Sequence, residues 1–259
     1  MNTIIVNKNN YLESMNDLKK RLYKIHCQNW IASKSNGTGA AGLTLEFLLG
    51  KERDNYALPD YNGIEIKTHN VYSNYQLHLF SCAFDNKPLE SQRLLKIGGY
   101  PDKKNPQFKV FQIRVNAVEY KKVGNHSYRL YVDYFSSKLV LQIFYSDSLR
   151  LETEMSWSFE ELKNRLVNKM SYLVVVNVKR YLKNDIYYYK YYNPTFYTLK
   201  NFSNFLWLVE KGLVCVSFKL TYVHYGERFG DFFDKGTGFE LDYDHITSLF
   251  DIVDLGISF

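Results

Sequence analysis

The sequence predicts an α+β fold, a mixed central β-sheet flanked by helices. Segments with apolar residues at helical spacing alternate, in no repeating order, with β-branched and aromatic runs of strand length. One run, residues 172–178, is β-branched with little polar alternation, the pattern of a strand buried on both faces inside a sheet. Hydrophobic residues make up 46% of the 259 positions, which supplies a core and excludes a disordered chain.

The elements follow in order. Leu12, Met15, Leu18, Leu22 and Ile25 mark a helix over residues 11–26, with Asn10 as its candidate cap. Residues 30–32 read as a short extended piece and 33–37 as a basic loop. Residues 41–49 form a second helix. Residues 63–69 and 76–83 read as two strands, expected to pair. Residues 89–97 are a short helix closed by Gly98 and Gly99, and 100–107, with Pro101 and Pro106, is a loop. Strands at 108–116, 128–135 and 138–145 read as an antiparallel meander. A helix over 158–169 starts from Ser156 or Ser158 as cap. The buried strand 172–178 follows, and the Tyr-rich residues 185–192 extend the sheet. Residues 198–210 form a helix ended by Gly212. Residues 213–224 are a long strand and 225–236 a Gly-rich charged loop. The strand pattern resumes at 239–241, and a helix over 244–250 is the last element.

Composition narrows the function classes only coarsely. The formal net charge of +6 suits a polyanionic partner without establishing one. Cys27, Cys82 and Cys215 have no metal-ligand spacing. Their odd number argues against a disulfide scaffold, so all three are expected to be buried thiols in a reducing cytoplasm. The first ten residues contain no long apolar stretch of a signal peptide, and no apolar run reaches membrane-spanning length. A cytoplasmic location with no membrane partner is expected.

The chemistry concentrates in residues 37–69. Asp60 closes a short apolar run, Tyr56-Ala57-Leu58-Pro59. Four residues later comes Glu65-Ile66-Lys67. If 63–68 is a strand, Glu65 and Lys67 share a face, because side chains alternate with period two. Asp60 enters from the preceding turn, so two carboxylates and one ammonium converge at a sheet edge. Mg²⁺ prefers such oxygen ligands and keeps room for phosphate oxygens and water. Asp60 and Glu65 are the candidate metal ligands, with the Ile66 carbonyl a third. Lys67 can orient or deprotonate an attacking water, or stabilise charge on the phosphorus. The same residues admit a plainer reading. Asp60-Tyr61-Asn62-Gly63 is good turn chemistry, and Glu65 and Lys67 suit the solvated face of an edge strand.

D-x(4)-E-x-K resembles the PD-(D/E)xK nuclease motif. The upstream run Gly-Thr-Gly-Ala-Ala-Gly-Leu-Thr-Leu-Glu-Phe-Leu-Leu-Gly, residues 37–50, resembles the helix that precedes the motif in MutH-like nucleases. It is most similar to the MvaI/BcnI group of type II restriction endonucleases, where T-G-x-x-G-x-T-L-E-x-L-L-G precedes P-D-x-x-G-x-E-x-K. The resemblance implies a restriction-endonuclease-like core with a second, DNA-recognition lobe. The approximate lobes are 1–120, catalytic, and 121–259, completing the sheet and reading DNA. It implies a Mg²⁺-dependent endonuclease that acts as a monomer on double-stranded DNA, with a cognate DNA methyltransferase in the same genome. Asp60, Glu65 and Lys67 take the catalytic roles and Glu46 an auxiliary one. Two rivals stay open: a MutH-like repair nicking enzyme, and a catalytically silent DNA-binding protein on the same fold.

Recognition is expected in residues 222–239, where glycines permit close backbone approach and His224, Arg228, Asp231 and Lys235 offer donors and acceptors for base edges. MvaI/BcnI-like enzymes carry an H-G-T-x-F-R-like run in this region. Here Lys235-Gly236-Thr237-Gly238-Phe239-Glu240 puts Lys for His and Glu for Arg, so the base contacts differ. Lys34, with the backbone of residues 37–42, is a candidate phosphate contact at the start of a helix. His26, His126 and His245 show no ligand spacing. The tyrosines of 187–192 read as a sheet face rather than a base-stacking platform.

Overall fold

The computed structural model describes residues 8–37, 39–51, 58–72, 76–86, 88–256 and 259. In chain order the elements are α1 Lys8–His26, β1 Ile31–Ala32, α2 Ala40–Leu48, β2 Glu65–Asn70, β3 Gln76–Ser81, α3 Leu89–Gly98, β4 Tyr100–Pro101 and β5 Lys109–Val115. Then come β6 Lys121–Val123, β7 His126–Asp133, β8 Lys138–Tyr145, β9 Leu151–Ser158, α4 Phe159–Met170, β10 Tyr172–Lys183 and β11 Ile186–Leu199. The last are α5 Phe202–Glu210, β12 Val214–Tyr222, β13 Phe232–Asp234, β14 Gly238–Asp242, a 3₁₀ turn Tyr243–His245, α6 Ile246–Leu249 and β15 Phe250–Val253.

These elements build two units. The first comprises Met1–Tyr75, Val167–Lys200 and Phe250–Phe259; the second comprises Gln76–Leu166 and Asn201–Leu249. The units are interleaved along the chain, so they do not coincide with lobes divided at residue 120.

The first unit holds a five-stranded sheet ordered β1-β11-β10-β2, with β15 also on β11. The β10–β11 hairpin is antiparallel, whereas β2 joins β10 in parallel, with Leu173 opposite Glu65 and Val175 opposite Lys67. Parallel strands cannot be joined by a tight turn. The chain accordingly builds most of the second unit between β2 and β10. Helix α1 turns Met15, Leu18, Leu22 and Ile25 onto Val174, Val176 and Val178 of β10 and onto Ile64 and Ile66. The buried strand read at 172–178 is thus the interior strand of this sheet.

The second unit contains a six-stranded sheet, β3-β14-β12-β5-β4 with β13 on β12, and a four-stranded meander β6-β7-β8-β9. Its sheet core includes Phe80, Phe111, Phe218 and Phe239, all buried. The Trp157 indole donates to the Cys82 carbonyl at 3.1 Å.

Several expectations are corrected. Strands β2 and β3 do not pair: β3 lies against β14 in the second unit. The strand at 108–116 leaves the meander for β12, and β9 takes its place. Helix α1 begins at Lys8, so Asn10 lies inside it. Residues 250–253 are a strand on β11, not the end of a helix. Leu199 belongs to β11, and Asn201 caps α5 by accepting from the Asn204 N–H at 3.0 Å. Cys82 is buried and Cys215 half-buried, but Cys27 is exposed. Ser158 is the hydroxyl that caps α4, accepting from Glu161 N–H at 3.3 Å. The tyrosines of β11 form a sheet face, with Tyr189 and Tyr191 buried. Among the described residues no helix is long and apolar enough to cross a membrane. The expectations for residues 1–7 and for Tyr56 and Ala57 fall outside the described residues.

Candidate active site

The site begins with a turn. Tyr61 and Ile64 exchange both backbone hydrogen bonds, 2.9 and 2.7 Å, across Asn62 and Gly63. Both central residues have positive φ, +43° and +84°. Positive φ at both positions is the signature of a type I′ hairpin turn, for which Asn-Gly is the preferred pair. The turn folds Asp60 back beside the first residues of β2. The turn chemistry and the motif are therefore one feature, since the turn is what brings the motif's carboxylates together.

Among the described residues strand β2 ends its sheet, so one edge carries backbone groups that no neighbouring strand takes. Asp60 fills that place: its Oδ2 accepts the Ile66 N–H at 2.9 Å. The N–H and C=O of one strand residue leave toward the same edge, so the Ile66 carbonyl faces the side on which Asp60 stands. Asp60 Oδ1 pairs with the Lys51 ammonium. Burial pushes the Asp60 carboxyl up, but the Lys51 hydrogen bond and the Ile66 N–H outweigh it and hold the group below the usual carboxylate range.

Glu65 is 1% exposed. Its Oε1 pairs with the Lys67 ammonium on the same strand face, as the period-two spacing requires. Its Oε2 lies 3.0 Å from the Lys169 ammonium. Lys169 comes from the last turn of α4, just before β10, and its Nζ also donates to the Leu58 carbonyl at 3.4 Å.

Glu46 projects from α2 toward the same cluster. Burial and the Asp60 carboxylate raise its pKa, against the opposing pull of Lys51 and Lys67. At Gly42, α2 faces β2 with room for a small side chain: a Cβ there would sit at ordinary contact distance, 3.8 Å from Thr68 Oγ1 and 3.9 Å from Glu46 Oε1. The helix is also held by the Tyr191 hydroxyl, which donates to the Ala41 carbonyl at 2.7 Å. The backbone N–H of Lys34 donates to Thr44 Oγ1 at 3.0 Å. Lys34, Ser35, Glu46 and Lys51 line a cleft of about 430 Å³.

All four expected catalytic side chains thus gather in the first unit, and Lys34 opens onto the adjoining cleft. Sequence reasoning missed Lys51 and Lys169. Neither has a local signal: Lys51 merely follows Gly50 after a helix, and Lys169 looks like an ordinary last-turn lysine.

The family profile of the MvaI/BcnI restriction endonucleases matches residues 19–250 of this chain. The chain belongs to the MvaI/BcnI restriction endonuclease family. It is a sequence-specific DNA endonuclease by family and by fold. A solved complex of the restriction endonuclease MvaI with its cognate DNA substrate superimposes with a TM-score of 0.85 at 26% identity, covering 93% of this chain and 98% of that one. MvaI without DNA gives a TM-score of 0.62 at 24% identity, covering 98% and 99%. No curated protein matches the sequence significantly.

In this MvaI/BcnI-family chain the segment expected to read DNA lies in the second unit and is more structured than a loop. Residues 232–234 form β13 on β12. Arg228 and Asp231 are exposed and pair with each other at 3.2 Å. His224 is held inward: its Nδ1 lies 3.0 Å from Asn105 Nδ2, and its ring stacks on Phe108 at 4.8 Å. Lys235 is placed differently. Its N–H donates to the Lys219 carbonyl at 3.0 Å. Asp234 secures the turn beyond it through Gly236 N–H at 2.8 Å and the Thr237 hydroxyl at 3.0 Å. Lys235 lines a shallow cleft with Gln112, Arg114, Ser217 and Lys219. Beside these, Glu240 is 5% exposed and is held by Arg114 at 2.8 Å and Lys219 at 3.7 Å. Arg114 and Lys219 were not anticipated, although the alternation of polar with apolar residues along β5 and β12 marks both as lying on the face away from the core.

Proposed function

We propose that this chain is a Mg²⁺-dependent type II restriction endonuclease that hydrolyses a phosphodiester bond in each strand of a specific double-stranded DNA site. One observation carries the reading: the Asn62-Gly63 turn and the edge of β2 bring Asp60 and Glu65 together, with Lys67 paired to Glu65 on the same face.

The donor set fits the metal. Asp60, Glu65 and the Ile66 carbonyl offer hard oxygens, and Glu65 Oε2, though near Lys169, accepts no well-formed hydrogen bond among the described residues. Such a donor set suits Mg²⁺, which commonly takes one or two carboxylates and completes its shell with water and phosphate oxygens. Bound there, the metal would supply Lewis-acid polarisation of the phosphate and a more acidic water. The protein's own groups do the rest. Asp60, fixed by Ile66, sets the position of the site. Lys67 hydrogen-bonds the attacking water and offsets charge developing on the phosphorus. Glu46 tunes the field of the two ligands. In-line attack leaves 5′-phosphate and 3′-hydroxyl ends.

We assign base reading to the second unit, where Lys235, Arg114, Lys219 and Glu240 combine donors with an acceptor. The chain acts as a monomer, cuts one strand at a time, and is paired with a cognate methyltransferase in the same genome. Digestion of unmethylated plasmid DNA with Mg²⁺, followed by sequencing of the ends, tests the reading. Discrete ends within one short sequence are expected. Salt-dependent DNA binding with no cleavage in Mg²⁺ would show a catalytically silent binder instead.

A further inference from the structure

Among the described residues the active-site cluster is balanced: the carboxylates of Glu46, Asp60 and Glu65 face the ammonium groups of Lys51, Lys67 and Lys169. Lys67 and Lys169 both serve Glu65. Lys51 serves Asp60, and the two oxygens of Asp60 are bound unequally. Oδ2 is committed to the Ile66 N–H of the strand edge. Oδ1, the oxygen the backbone leaves for a ligand, is the one Lys51 occupies. An ammonium and a divalent cation repel each other and do not share one carboxylate oxygen at close range.

We propose that Lys51 is a resident counter-ion of Asp60, which gives up Oδ1 to the metal and then neutralises a phosphate of the bound DNA strand in the adjoining cleft. The proposal rests on the metal reading of Asp60. Lysine suits the exchange, because its ammonium sits on a flexible four-carbon stem and moves without backbone change. Its destination is the adjoining cleft. Lys51 already lines the cleft shared with Lys34 and Ser35, and Lys34 places its ammonium 5.6 Å above the Phe47 ring on the same wall. A released Lys51 would give that cleft a second cation and a hydroxyl neighbour, the chemistry that holds a phosphodiester anion. While the metal is absent, the same ammonium offsets the repulsion among three neighbouring carboxylates.

The test uses the full chain and two readouts that need no cleavage. Tb³⁺ luminescence without DNA measures occupancy by a hard, oxygen-seeking cation. Asp60→Ala should abolish the signal. Lys51→Met should bind Tb³⁺ about tenfold more tightly than wild type, because a competing charge is gone. Lys51→Arg, which keeps the charge, should bind no more tightly than wild type. In the second arm, DNA affinity is measured against salt. With Ca²⁺ present, Lys51→Met should lower the slope of log K against log salt by about 0.9, the loss of one phosphate contact. Without Ca²⁺, the two slopes should agree. Unchanged or weaker Tb³⁺ binding by Lys51→Met, with Asp60→Ala still abolishing it, overturns the exchange alone. So does an equal slope change with and without Ca²⁺. Wild-type Tb³⁺ binding by Asp60→Ala removes the metal reading itself and the exchange with it. Matching melting temperatures of Lys51→Met and Lys51→Arg exclude misfolding as the cause.

Discussion

Asp60 and Glu46 are neighbouring carboxylates driven in opposite directions. Asp60 is held below the usual range because Lys51 and Ile66 stabilise its charge against burial; Glu46 is raised because burial and the Asp60 charge disfavour its ionised form. Their linkage to stability has opposite sign. A depressed pKa contributes stability that is present above the unfolded value and is lost as pH falls through the folded one. A raised pKa means that ionising Glu46 costs stability, a cost that grows from the unfolded carboxyl range upward and is complete above the folded pKa. Glu46→Gln should therefore raise the melting temperature at pH 7–8, and the gain should vanish near pH 4. The same variant should slow cleavage less than loss of Asp60 does, and shift the Mg²⁺ titration to higher concentration. An unchanged Mg²⁺ titration would mean that Glu46 is a packing residue. Asp60→Ala and Glu65→Ala should each abolish cleavage while retaining specific DNA binding in Ca²⁺, since on the proposed reading each removes a metal ligand and no base contact; a near-wild-type rate in either sinks the assignment. Lys67→Arg should not rescue Lys67→Ala, because a planar guanidinium does not replace a compact ammonium. Asp60, Glu65 and Lys67 were legible because eight consecutive positions contain both the groups and the turn that assembles them. Lys169 was not, because its partner Glu65 lies far upstream and only the fold joins them.

At the scale of elements, the proposed active site depends on the turn before β2. Gly63 has φ +84°, and a Cβ there would come within 2.8 Å of the Tyr11 ring. Tyr11 has little freedom to retreat, since it stacks on Tyr172 at 3.7 Å. Gly63→Ala should cost about 1–2 kcal/mol from the left-handed backbone alone, seen as a lower melting temperature. It should also reduce cleavage at least tenfold by moving Asp60 relative to Glu65, with binding in Ca²⁺ less affected. Wild-type cleavage by this variant would show that the turn does not set the geometry. Element types were readable wherever the apolar period was clear, as in α1 and β10. Pairing was not. Residues 63–69 and 76–83 are adjacent strands in sequence, and adjacency favours a hairpin. The parallel partner of β2 arrives only after α4, and no local pattern announces it. Strand β9 was readable in retrospect, because Met155 and Trp157 alternate inward between exposed and half-buried neighbours.

At the scale of the whole molecule, the chain builds the first unit in three passes and inserts the second between them. The residues proposed to be catalytic belong to the first unit. The residues expected to read bases belong to the second, and the structure sorts them by how they are held. The backbone of the Arg228–Asp231 turn is tied to Val223, whose N–H donates to the Asp231 carbonyl at 2.8 Å, but the two side chains satisfy only each other on the surface, a pairing worth about 0–1 kcal/mol. Lys235 sits on a turn secured by Asp234, beside Arg114 and Lys219, which flank the nearly buried Glu240. A side chain that discriminates bases must be positioned before DNA arrives, since a loosely held group gives back in ordering what it gains in contact. A direct base contact carries about 1–3 kcal/mol of discrimination, whereas a phosphate contact carries none. Lys235→Ala and Arg114→Ala should therefore weaken specific binding about 5- to 150-fold more than binding to random DNA, measured in Ca²⁺ at fixed salt. Arg228→Ala should change the two affinities by similar, small factors. The reverse outcome, with the ratio falling in Arg228→Ala and Asp231→Ala but not in Lys235→Ala or Arg114→Ala, would return base reading to the exposed turn and leave the Glu240 cluster as a means of holding the sheet together.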